Sequence, residues 1–287
     1  MANLKEIRNR ISSVSSTMQI TSAMKMVSAA KLKRAQDAIT AMRPYAEKLT
    51  ELIQNLSGSL EGGATGIYTD QREINRVLIV AITSNRGLCG AFNTNALKKV
   101  KEVAAQYDAD KVGVFAIGKK AYESLYKTNH VIANRSDVFD ELTFENVAVI
   151  AESLTNMYLT GEYDKIVIVY NQFVNAATQN IMAEQFLPLE PIASQEEETA
   201  ANDYIYEPSK EEIVVTLIPK SLKTQLYKAI RDSFAAEHGA RMTAMHKATD
   251  NATDLRDQLK LTYNKARQAA ITNEILEIVG GANALKG

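Results

Sequence analysis

A single cysteine, Cys89, stands in 287 residues. That excludes a disulfide within the chain and any dithiol redox pair. From Ser221 to Val279 there is no proline and one glycine, Gly239. From Ala2 to Ser57 there is no glycine and one proline, Pro44. Stretches so free of breakers exclude loops and turn-rich sheet, and they predict two long helices. No run of 18 apolar residues occurs, because Arg267, Glu274 and Glu277 interrupt the most apolar stretch, so a membrane span is excluded there. A net charge of −1 argues against a general nucleic-acid binder. Lys5, Glu6, Arg8 and Arg10 follow the start with no apolar core behind them. No secretory signal is expected, and a reducing compartment is.

The last third of the chain organises the rest. Leu226, Ile230, Phe234, Met242, Met245, Ala248, Ala252, Leu255, Leu259, Ala266 and Ala270 return every three or four positions along it. This is the period of one helix with an apolar stripe. At about 1.5 Å per residue it is on the order of 90 Å long, more than one compact domain buries. The amino-terminal stretch has the same pattern at Leu4, Ile7, Ile11, Val14 and Met18, and again from Leu32 through Ala35, Ile39, Met42, Ala46, Leu49, Ile53 and Leu56. A 3-4 alternation is a coiled-coil seam, and its frame is expected to slip between Met18 and Leu32. Two terminal helices around a central insertion predict an antiparallel pair. The second helix outruns the first. Its final turns place Ile271, Ile275, Leu276, Ile278 and Val279 on several faces, which one partner helix cannot cover. A protein socket around that tail is the expected solution.

Between the helices the period changes. Gly58, Gly62, Gly63 and Gly66 mark a flexible loop. INRVLIVAIT, KVGVFAIG, DKIVIVYNQFV and NIMAEQFLPL read as four strands, separated by helices at about 91–107, KKAYESLYK and NVAVIAESLTNMYL. Strands alternating with helices predict a mostly parallel sheet, with the fourth strand antiparallel at an edge. A mobile acidic loop follows at 193–202, with Glu196, Glu197 and Glu198. Ser209 with Glu212 three residues on predicts a capped helix start, and Pro219 a kink or break soon after. The fold class is α/β. A long antiparallel coiled coil of terminal helices carries a central Rossmann-like α/β domain. The expected boundaries are 1–57 for the first helix, 58–73 for the linker, 74–208 for the α/β domain and 209–287 for the second helix.

Chemistry is thin. Gly87 to Asn93, GLCGAFN, follows a strand and opens a helix, where a phosphate could sit. It lacks the lysine and hydroxyl ending of a nucleotide loop, and a tight structural turn with a buried Cys89 is the plainer reading. His238 and His246 are eight apart on one helix, too far for an i,i+4 metal pair. The run MKMVSAAKLKRAQ is either a solvated basic face or a basic collar toward acidic groups of a partner. Nothing assembles a nucleophile, a base and an oxyanion site, so no catalytic, cofactor or metal residues are expected.

QITSAMKMVSAAKLKRAQ, ITSNRGLCGAFN and the terminal LTYNKARQAAITNEILEIVGGANAL resemble the signature stretches of the γ-chain family of rotary F-type ATP synthases, in the same order and over the whole length. The resemblance implies a non-catalytic rotor shaft. Its partners are a ring of three α and three β chains around the shaft, with an ε chain and a membrane ring of c chains at its foot. Met24, Arg241, Arg267, Gln268 and Thr272 match positions that contact the β chain or serve coupling. Lys25, Lys31, Lys33 and Arg34 would form the basic collar. Tyr204, Tyr206 and Glu207 fall where the foot approaches the c ring. Direct membrane insertion is not implied, and with no transit peptide expected, a bacterial protein on the inner face of the membrane is the favoured expectation. Two other readings stay open: a coiled-coil adaptor presenting an α/β head, and an enzyme using Gly87 to Asn93 as a phosphate loop.

Overall fold

The computed structural model describes residues 4–57, 66–69, 72–128, 130–189 and 210–284. Two helices bracket the chain, α1 (Leu4–Ser57) and α6 (Lys210–Ala284). Between them lie α2 (Gly66–Thr69), β1 (Val77–Ile82), α3 (Phe92–Ala104), β2 (Val112–Ile117), α4 (Lys119–Leu125), β3 (His130–Asn134), α5 (Phe144–Leu159), β4 (Lys165–Phe173) and β5 (Gln179–Leu187). Contacts gather the chain into two compact units. One is Met1–Ser28 with Arg241–Gly287, and the other is Ala29–Ala240.

In the second unit the sheet order is β3-β2-β1-β4-β5. β1 pairs parallel with β2 and β4, and β5 returns antiparallel on β4. All six residues of β1 are buried, as expected of a central strand covered on both faces. Leu78, Val80 and Ile82 face α5 and the α6 residues Ile218, Leu222, Leu226 and Ile230. Val77, Ile79 and Ala81 face the opposite layer, with Val100 and Val103 of α3 and Ala121 and Leu125 of α4. Each such aliphatic side chain contributes about 1.5–3 kcal/mol of burial. Thr143 caps α5, its Oγ1 accepting from the Asn146 N–H at 3.3 Å. Gly118, between β2 and α4, has φ 111°, and a Cβ there would lie 2.2 Å from the Thr83 carbonyl oxygen, so only glycine turns this corner.

β3 is the strand the sequence does not reveal. It is five residues at a sheet edge, with both ends exposed and the middle half-buried. An edge strand this short carries too few apolar residues to stand out from a loop. Pro219 neither ends nor divides α6, which runs from Lys210 to Ala284 with that proline inside it. Its flanks Ile218 and Leu222 are anchored in the core, and that burial offsets the roughly 3 kcal/mol cost of an internal proline. Ser209 lies outside the described residues.

In the first unit α1 and α6 pair antiparallel. Arg8 Nη2 donates to the Tyr263 hydroxyl at 2.7 Å, Arg256 Nη1 to Met18 Sδ at 3.3 Å, and Thr21 Oγ1 meets Thr249 Oγ1 at 2.8 Å. Lys25 Nζ lies 3.4 Å from His246 Nδ1. The number falls along α6 as it rises along α1. The expected slip of the seam does not occur. Ile7, Thr21, Ser28, Leu32, Ala35 and Ile39 are buried, and Ile11, Val14, Met18 and Lys25 half-buried, in one unbroken 3-4 register. The apparent gap came from three polar residues, Thr21, Lys25 and Ser28, filling apolar positions. On α6 the seam departs from the expected list at Leu255, which is 47% exposed, while Arg256 and Tyr263 hold seam positions through their long stems and rings.

Candidate functional site

From Arg267 through Ala282 every α6 residue is exposed, past the bond from Arg8 of α1 to Tyr263. Ile271, Ile275, Leu276, Ile278 and Val279 are 46–67% exposed. Their arrangement is more ordered than the expectation of apolar residues most of the way round. At about 100° per residue, the seam positions Thr249, Ala252, Arg256, Leu259 and Tyr263 point one way. Ile275 and Val279 point about 120° and 160° away from that direction, with Ile271, Ile278 and Leu276 spreading the apolar face to an arc of roughly 160°. The side continuing the seam is polar, carrying Arg267, Glu274 and Glu277. A longer α1 would therefore meet charges. What covers the apolar face must come from the other side.

This geometry separates the predicted contact residues. Gln268 and Thr272 fall inside the apolar arc, flanked by Ile275 and Val279, whereas Arg267 stands on the charged side one turn pair before Glu274. All three are exposed. No flat surface reaches both sides of the helix, but a surrounding one does. Arg241 is 7% exposed and so is built into the protein rather than presented from it. Met24 is half-buried on α1. Of the basic residues, Lys31, Lys33 and Arg34 are exposed, Lys33 pairing with Asp37 at 2.9 Å, while Lys25 lies in the seam against His246. Tyr204, Tyr206, Glu207 and the acidic stretch 193–202 lie outside the described residues. The sequence reading overlooked Ile20, Met26 and Val27, which are 57–65% exposed on α1. The i, i+7 spacing of Ile20 and Val27, with Met26 beside them, one or two places off the seam register, is the signal that could have found them.

The turn from Gly87 to Asn93 sits at the carboxyl ends of the parallel strands, where open α/β sheets bind ligands. Here its polar groups bond one another. Asn93 Oδ1 accepts from the Ser84 N–H at 3.0 Å, and Asn93 Nδ2 donates to Ser84 Oγ at 2.8 Å and to Cys89 Sγ at 3.2 Å. Leu88 and Gly90 adopt φ of 61° and 59°. Cys89 and Phe92 pack against Ala236 of α6 and Phe173. This is a structural turn, with Cys89 as a small buried side chain. His238 stands edge-on to the Phe234 ring at 4.4 Å, and His246 Nδ1 lies 3.3 Å from Asp250 Oδ2, so the two do not converge. Among the described residues no group of three or more histidine, cysteine or carboxylate side chains could hold a metal, and no helix is long and apolar enough to cross a membrane.

The model of the family described as ATP synthase matches residues 3–285. A protein of Flavobacterium psychrophilum named ATP synthase gamma chain is 75% identical over 287 residues, covering 100% of each chain. The chain belongs to the ATP synthase γ-chain family. A γ chain of Cytophaga hutchinsonii is 53% identical over 293 residues, with 99% of each covered. A chain from the Euglena gracilis mitochondrial ATP synthase, in a structure of its F1 and c-ring, has the same fold, with a TM-score of 0.69 at 23% identity over 98% of this chain and 94% of that one. A chain of the Tetrahymena thermophila central stalk and c-ring gives 0.58 at 24% identity, covering 80% and 99%. A γ chain is a non-catalytic member of its complex.

Proposed function

We propose that this γ chain is the central rotor shaft of an F-type ATP synthase. It turns with a membrane c ring and an ε chain at its foot, and it drives a ring of three α and three β chains around its tail. The observation that carries the reading is the bare carboxyl-terminal stretch of α6, apolar on the side away from its seam and charged on the seam side. Such a helix asks for a sleeve. Ile271, Ile275, Leu276, Ile278 and Val279 are the bearing surface. Gln268 and Thr272 make polar contacts within it, and Arg267 reaches a carboxylate of a β chain by charge-assisted bonds. Met24 and Arg241 belong to the same β-facing region, Arg241 by holding the shaft's shape. Lys25, Lys31, Lys33 and Arg34 form the collar, of which the last three present charge. Tyr204, Tyr206 and Glu207 approach the c ring. The complex works at the inner face of a bacterial membrane, with this chain peripheral to it.

Two faces of unlike chemistry on one rod supply the mechanism. A three-fold sleeve meets a different face at each of its three β chains. The shaft biases each chain between open and closed forms only by its differential contact energy with those forms. Swinging one site from about 1:99 to 99:1 requires about 5.5 kcal/mol of such difference. Rotation then carries each site through binding, reaction and product release, with release as the driven step.

The test uses the α and β chains of the same organism with the full chain, without it, and with it cut before Lys265. The full chain is expected to give a three-to-three-to-one assembly with sustained ATPase turnover, and the cut chain to lose it. Failure of the full chain to join α and β would overturn the shaft and leave the adaptor.

A further inference from the structure

Torque that enters the α/β unit must pass into α6, and the way α6 is held there decides whether it can. We propose that the unit grips α6 like a wrench, through two sets of directional contacts on opposite sides of the helix. Arg231 and Phe234 form the principal jaw. This inference rests on the rotor reading and names the residues that would carry its load.

The first jaw is the segment leading into α5, with α5 itself. Arg231 Nη2 donates to the Leu142 carbonyl oxygen at 3.0 Å and to the Tyr227 hydroxyl at 2.6 Å, and its guanidinium lies 5.1 Å over the Tyr227 ring. Tyr227 meets Phe144 edge-on, with centroids 5.6 Å apart. Phe234 stacks on Phe139 at 6.3 Å and 15°. One turn before Tyr227, Lys223 pairs with Glu152 of α5. At about 100° per residue, positions 223, 227, 231 and 234 share one stripe of α6 no wider than roughly 80°.

The second jaw is β5 and the turn before it. Gln225 Nε2 donates to the Gln185 carbonyl oxygen, and Gln179 Nε2 to the Ala236 carbonyl oxygen, each at 3.4 Å. Gly239 lies so close to this turn that a Cβ would stand 3.2 Å from Ala176 Cα. Positions 225, 236 and 239 lie roughly 140° around the helix from the first stripe.

Between the jaws sit Leu222, Leu226, Ala229 and Ile230, packed on the core. Burial of aliphatic groups is not directional, so this layer holds the helix down without fixing its rotation. Hydrogen bonds and ring stacks have preferred geometry and resist turning. Contacts on one side only would let the helix roll about them. Opposed contacts at a radius from the axis form a couple. Arg231 suits the role because its planar fork, bonded to and stacked over Tyr227 of the same helix, is held at a fixed angle toward the Leu142 carbonyl outside it, whereas a lysine in its place would swivel.

The experiment reconstitutes the complete complex in liposomes with the wild-type chain, R231A/F234L, R231K, and Q179A/Q225A. It reads ATP hydrolysis, proton pumping per ATP, and torsional stiffness from the angular fluctuation of a bead on the stalled rotor. Removing one of two opposed contacts should lower stiffness about twofold and reduce pumping per ATP, while hydrolysis persists. R231K should fall between wild type and R231A/F234L. If the wild-type complex does not couple hydrolysis to pumping, the rotor reading itself fails. If it couples and R231A/F234L assembles with unchanged stiffness and pumping, the grip is overturned. Should that double variant not assemble, R231K and Q179A/Q225A are read by the same two criteria, and wild-type values in both would equally overturn it.

Discussion

One helix contains two opposite regimes. From Ala229 to Arg241 α6 is buried or half-buried at every position, including Asp232, Ser233, Glu237 and His238. From Arg267 to Ala282 it is exposed at every position, including five large aliphatic residues. The difference does not follow composition, since the buried length carries charge and the bare length carries isoleucine. What separates them is where each finds its solvent of folded protein. The buried length finds it within the chain, so its charges have to be accommodated there. The bare length does not, and an apolar face left in water marks a surface shaped for something else.

Three measurements sharpen or break that contrast in the free chain. The largest effect belongs to Ile230→Ala, which should cost about 2–5 kcal/mol of unfolding free energy in urea melts, whereas Ile275→Ala should stay within about 0.5 kcal/mol. Equal losses would mean that the tail is covered by its own chain after all. A smaller contrast tests the seam. Leu259→Ala, at a seam position, should destabilise by about 1–2 kcal/mol, and Leu255→Ala, one turn earlier and exposed, by no more than about 0.5 kcal/mol. The reverse order would return Leu255 to the seam and take Leu259 out of it. The smallest effect concerns the layer under the buried length. Burial, then the charge of Glu184 and the hydrogen bond of 2.8 Å to it, hold the Tyr170 phenol protonated far above the usual tyrosine range. The unfolded chain ionises this group near pH 10 and the folded chain does not, so stability is full below that pH and falls as pH rises through it. Thermal melts should therefore drop on the alkaline side, and Tyr170→Phe should flatten the drop. An unchanged slope would place its cause elsewhere.

The same contrast explains how much was readable in the residues alone. β1 and β2 are continuous apolar runs, β4 opens on one, β5 follows it through a short turn, and the two long helices are nearly free of breakers, so local pattern and tertiary structure agree there. β3 lies at an edge with little to bury, and its partner β2 defines it more than its own residues do. The seam through Thr21, Lys25 and Ser28 was obscured because a hydroxyl or a lysine stem can fill a position that pattern reading reserves for aliphatic groups. Leu255 erred in the other direction: apolar, in plausible register, and facing water. In the candidate site the apolar tail was legible, but its division into an apolar arc and a charged side emerges only once the seam fixes which way the helix faces. The two jaws on α6 were not legible, since Arg231 and Phe234 find partners far away in sequence.

The polar pair in the seam has a consequence for where the counting starts. A zipper of identical aliphatic teeth can close one repeat too early or too late with nearly the same satisfaction. Here such an error would shift one strand of the zipper by about 10 Å. Thr21 Oγ1 against Thr249 Oγ1, at 2.8 Å, makes one alignment unlike its neighbours. Displaced by a repeat toward the amino-terminal end of α1, Thr249 would lie against Val14 and Thr21 against Met242, neither of which answers a hydroxyl. The pair adds little strength. It serves as the notch on a ruler, and every length measured toward the far tip is taken from it.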